Sequence, residues 1–110
     1  MTKIGENDNP PKIAKLENYQ KDLAKNALKF ESALSAYTTS TGDEKARLKT
    51  LMDGQLQLIQ SAVNEIKTKG MSKQSDKLAT DYKNYMNFNS DENFAAVEQD
   101  LQTLREMGQI

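Results

Sequence analysis

Cysteine, histidine and tryptophan are absent from the 110 residues. Their absence excludes disulfides, zinc sites of the Cys/His kind, thiol catalysis and any His-based triad. A chain without cysteine is compatible with either redox compartment. Charge of one sign is missing too: 15 Lys and Arg stand against 16 Asp and Glu, a net of -1. No global field therefore selects nucleic acid or an acidic membrane. No apolar run reaches the roughly 18 residues of a membrane-spanning helix. Met1–Pro11 is polar and does not read as a Sec-type signal peptide. The expectation is a soluble, cytoplasmic protein without membrane insertion, with export by a route that needs no such peptide left open.

Proline occurs only at Pro10 and Pro11. Residues 1–10 offer little apolar area to offset ordering entropy and read as a flexible arm. Residues 11–110 read as a single helical domain. Pro11 suits a helix start, where a missing N–H costs nothing. The remainder is rich in Lys, Leu, Gln, Ala and Glu and has no strand alternation or hairpin turn. The composition and pattern predict an all-α fold, a long antiparallel helical hairpin plus two short C-terminal helices in a four-helix arrangement. Helices are expected at about 11–37, 43–69, 73–87 and 91–107.

The first helix places Ile13, Leu16, Gln20, Leu23, Ala27, Phe30, Leu34 and Tyr37 at alternating steps of three and four, a heptad seam. Thr38–Gly42 breaks it. Thr41 followed by Glu44 has capping-box spacing and opens the second helix. Its seam is Leu48, Met52, Gln55, Ile59, Ala62 and Ile66, with Lys67 and Lys69 in the last turn and Gly70 as the stop. The two seams interlock in antiparallel register: Leu34 faces Leu48, Phe30 Met52, Ala27 Gln55, Leu23 Ile59, Gln20 Ala62 and Leu16 Ile66. That phase agrees with a turn near Thr41. Each glutamine faces an alanine, so its amide is expected to reach the helix edge and find water, and the pair is a candidate for fixing register. Ser72 is the expected cap of the third helix, and Asn89–Ser90–Asp91 is a cap-rich break before the fourth.

Leu51, Leu56, Leu58 and Val63 lie off the second helix's seam. Either the two short helices fold back on them, with Leu78, Tyr82, Tyr85, Phe94, Val97, Leu101 and Leu104 as the covering set, or a partner helix or second copy does. Tyr82 and Tyr85, which tolerate partial exposure, join them as candidate partner-binding residues. Charge is uneven. Residues 91–110 carry Arg105 alone against Asp91, Glu92, Glu98, Asp100 and Glu106, while each earlier segment is slightly basic. The last helix is thus expected either to dock on its own basic hairpin or to offer an acidic surface.

Motifs with chemistry are sparse. Asn87, Asn89, Asp91, Asn93 and Glu98 fall near calcium-loop positions, but Asn stands first and Glu92 replaces the obligatory turn glycine. Gly70-Met71-Ser72-Lys73 could hold an anion at a helix start, without the full phosphate-loop spacing. Lys21, Lys25 and Lys29 form a spaced row, interrupted by acids elsewhere on the helix, so nucleic acid is not expected. No carboxylate pair is singled out for acid–base work. The reading is no enzyme, no cofactor and no metal. The expected function is a protein–protein interaction module, a small helical adaptor, chaperone or secretion-associated subunit. A self-assembling structural subunit is the alternative, and a weak anion or nucleic-acid binder ranks third. In shape the chain is similar to small helical-hairpin proteins handled by bacterial secretion systems. The likeness stops at architecture: the Trp-x-Gly turn of one such family is absent, and no motif ties the chain to a family.

Overall fold

The computed structural model describes the backbone of residues 11–108 and side chains from Glu17 onward. The arm at residues 1–10 and the seam side chains Ile13 and Leu16 lie outside the described residues. Four α-helices follow one another: α1 Pro11–Thr39, α2 Gly42–Ile66, α3 Lys69–Asn87 and α4 Asp91–Gly108. At 1.5 Å per residue they are about 44, 37, 28 and 27 Å long. The expected all-α fold of a long hairpin and two shorter helices is the one observed.

The helices run up-down-up-down. α1 packs on α2, α2 on α3, α3 on α4, and α4 returns to α1. Lys77 reaches Asp100 while Asn84 reaches Asn93, which fixes α3 and α4 as antiparallel. Arg105 meets Glu31 while Gly108 abuts Leu23, which does the same for α4 and α1. The core is the two seams and the faces that close over them. Leu23, Ala27, Phe30 and Leu34 of α1 and Met52 and Ile59 of α2 are sealed from solvent, with Leu78, Val97, Leu101 and Leu104 from the short helices. Each fully buried leucine contributes about 1.5–3 kcal/mol of transfer free energy. Five aromatic rings fill the half of the core nearest the two tight turns. Phe30 meets Tyr82 edge-on at 5.2 Å, Tyr37 meets Tyr85 at 6.1 Å, and Phe94 closes on Tyr85 at 6.0 Å.

The helix ends depart from expectation in three places. Thr41 is the N-cap of α2, but its side chain makes no cap bond, and Glu44 turns instead to Arg47, whose Nε donates to it at 3.0 Å. The capping box is therefore not formed. The second helix ends at Ile66, before Gly70. Lys67 takes the left-handed conformation (φ 61°) and donates its N–H to the Val63 carbonyl. With the turn closed at Lys67, Thr68 becomes the N-cap of α3, and Lys69, Gly70 and Ser72 lie inside the helix. The Asn89–Ser90–Asp91 break holds: Ser90 Oγ accepts the Asn93 N–H at 3.1 Å, as an N-cap should.

Candidate functional site

The off-seam residues of α2 form two rows, each one heptad long. Leu56 and Val63 lie on the flank toward α3: Val63 is buried and Leu56 packs against the core. Leu51 and Leu58 lie on the opposite flank, which neither short helix covers, and are 42% and 50% exposed. Leu28 of α1, 51% exposed, adds to the apolar surface on that side. Between the hairpin helices runs an open groove of about 540 Å³, with Leu28, Lys29, Ala33 and Ala36 on one wall and Leu48 and Leu51 on the other. Gln55 lines it as well. A separate hollow of about 140 Å³ lies beside Leu58, Asn26 and Ala62. There Glu65 hydrogen-bonds the Tyr19 hydroxyl and raises its pKa above the ordinary tyrosine range.

Gln55 was expected to reach water, and its Oε1 does not. Its side chain is buried and its Oε1 has no hydrogen-bond donor. Gln20, its counterpart against Ala62, is only partly buried. The seam thus carries an unfilled acceptor where it borders the groove.

Tyr82 and Tyr85 are core residues of the free chain. Tyr82 is held between Phe30 and Asp53, whose Oδ1 accepts its hydroxyl at 2.6 Å, and burial followed by that carboxylate pushes its pKa well up. Tyr85 is wedged between Tyr37 and Phe94. Of the six sequence candidates, then, Leu51 and Leu58 are presented to solvent, Leu56 is partly covered, and Val63, Tyr82 and Tyr85 are enclosed. Two exposed apolar residues escaped the sequence reading. Leu28 sits off the α1 seam and could have been found by the same test applied to α2. Phe88, 70% exposed, stands alone at the α3–α4 turn.

The other motifs are occupied structurally. The Asn93 amide donates to the Phe88 carbonyl at 2.9 Å, and the Asn89 amide donates to the Tyr85 carbonyl. Both side chains hold the turn together. Among the described residues no group of three or more acidic side chains could hold a metal ion, and no helix is long and apolar enough to cross a membrane. The acidic α4 meets α1 through its one cation, since Arg105 Nε lies 3.0 Å from Glu31. Burial raises the Glu31 pKa, Arg105 opposes the shift, and nearby Glu98 adds to it. Asp100, 1% exposed, turns the other way to α3, where Lys77 and Gln74 donate to its Oδ1 at 3.0 and 3.2 Å. Docking of α4 is therefore not a simple match of acidic helix to basic hairpin. Asp91, Glu92, Glu98 and Glu106 stay exposed.

No protein-family model, no curated protein and no solved structure matches this chain.

Proposed function

We propose that this chain is a non-enzymatic protein-interaction module, of the adaptor, chaperone or secretion-associated subunit kind, that works by helix-on-helix contact. One observation carries the reading: Leu51 and Leu58, a heptad apart, stay half exposed beside an apolar groove although the chain supplies two further helices. Those helices close the opposite flank. Covering the exposed halves of Leu28, Leu51 and Leu58 would add about 1 kcal/mol each, enough to favour a helix laid across the hairpin.

The test is the Leu51→Glu/Leu58→Glu double variant. Its helicity and melting temperature are expected to stay near wild type, because both side chains are already half in water. A partner recovered near equimolar with the wild-type protein from its native extract should be lost with the variant. Unfolding of the variant would make the stripe part of the core and end the reading. Retention of the same partner would move the contact elsewhere. A self-assembling subunit would instead give the bait alone, at a mass above one chain.

A further inference from the structure

The chemistry of the groove narrows what fits it, and this inference rests on the reading of that face as a docking surface. Lys29 lines the groove, and Lys25 lies one turn before it on the same side of α1, whereas Lys21, a further turn back, has rotated toward α4 and lines a hollow with Gly108. All three are exposed, and none forms an ion pair among the described residues. Between Leu51 and Leu58 the α2 side carries Gly54 and Gln57, without charge, while Glu44 and Arg47, paired with each other, and Glu65 lie beyond the two ends. Gly54 stands between Leu51 and Leu58, and a Cβ there would meet nothing within 4 Å. A backbone can therefore come close at that level. Beneath lies Gln55, more than nine-tenths buried, its Oε1 without a donor and its side chain lining the groove.

We infer that the groove receives an amphipathic helix of a partner protein with an acidic flank. Its apolar stripe meets Leu51 and Leu58, and its carboxylates lie along Lys25 and Lys29. The acidic flank stops short of Asp22 and Glu65, which turn the charge of the far hollow. A second copy of this chain fits less well. In a two-fold pairing centred on Leu51 and Leu58, its outer face would bring either the same lysines or the uncharged middle of α2, with Glu44 and Glu65 a heptad away from Lys25 and Lys29.

The probes are two fluorescein-labelled synthetic helices of about 18 residues with leucines at heptad spacing, one flanked by Glu and one by Lys. Their anisotropy is titrated with the full-length protein at about 50 mM and about 500 mM NaCl. The Glu-flanked peptide is expected to bind about fivefold tighter at low salt, a gap that closes at high salt. Lys25→Glu/Lys29→Glu, which alters only exposed side chains, should invert the order. Leu51→Glu/Leu58→Glu should abolish binding of both peptides. Equal binding of the two peptides, still lost with the leucine variant, would overturn the acidic partner and leave the docking face standing. Failure of both peptides, or binding that survives the leucine variant, would overturn both. Sedimentation equilibrium covers the remaining case: a dimer dissolved by the leucine substitutions would assign the face to a second copy and overturn the proposal.

Discussion

The Tyr82 hydroxyl donates to Asp53 Oδ1 at 2.6 Å, joining α3 to α2 through an otherwise apolar part of the bundle. The same carboxylate accepts Lys49 Nζ on Oδ2 at 3.0 Å, so Asp53 is held from both sides. The ring of Tyr82 meanwhile packs edge-on against Phe30 of α1. One side chain thus ties three helices together.

Two substitutions separate its two roles. Tyr82→Phe keeps the ring and removes the hydrogen bond, and should lower unfolding free energy by about 1 kcal/mol. Tyr82→Ala removes the ring as well and should cost about 3–5 kcal/mol. Urea denaturation of the two variants checks the difference. A Tyr82→Phe protein as unstable as Tyr82→Ala would mean the bond, not the packing, holds α3 in place.

The α2–α3 turn offers a gain in stability. Lys67 adopts the left-handed region at φ 61°, where a side chain crowds the backbone. Gly70, three residues on, sits in the first turn of α3, where its freedom only loosens the helix. A methyl group at 70 would meet Met107 Cε at 3.5 Å, an ordinary contact. Lys67→Gly and Gly70→Ala should each stabilise the protein by roughly 0.5–1 kcal/mol, and nearly additively, as a rise in melting temperature.

The same turn shows where the sequence stopped being legible. The heptad seams located the hairpin because Leu23, Phe30, Met52 and Ile59 must all be buried at once. A helix end is set by one residue's dihedral angles, and glycine at 70 was the better local candidate than lysine at 67. Tertiary closure of α3 onto α2 overrode that preference. Leu51, Leu56, Leu58 and Val63 were separable from the seam, and their spacing divides them into two flanks. Which flank α3 covers depends on the hand of the connection, which periodicity does not encode. The two tyrosines were open to both readings, as cover for α2 or as contact residues, for another reason. Their hydroxyls suggested a wet edge, but Asp53 supplies Tyr82 with a partner inside the bundle.

The pairing across the hairpin predicts a crosslink. Ala27 and Gln55 face each other in the register of the two seams, and both are buried. In an Ala27→Cys/Gln55→Cys protein, a short dithiol crosslinker should join the cysteines within one chain, giving a faster-migrating monomer on denaturing gels. Crosslinks between chains alone would mean that the seams pair intermolecularly, as a self-assembling subunit requires.

Asp100 gives the bundle a dependence on pH with a definite sign. It is 1% exposed and its Oδ2 has no donor. Burial raises its pKa to about 6, hydrogen bonding with Asp81 adds to the rise, and Lys77 opposes it. The folded state therefore holds this proton more tightly than the unfolded chain does. Its contribution is fully present below the ordinary carboxylate pKa and is lost as pH rises through about 6. Asp81, whose pKa is lowered, acts in the opposite sense, but only below the ordinary carboxylate range. Between about pH 4 and 6 the Asp100 effect governs, worth roughly 1–3 kcal/mol. Asp100→Asn keeps the shape and abolishes the titration. The wild type should accordingly gain stability relative to this variant as pH falls from 7 to 4 in urea unfolding. A flat difference would mean that Lys77 keeps Asp100 ionised throughout, with the α3–α4 contact an ordinary ion pair.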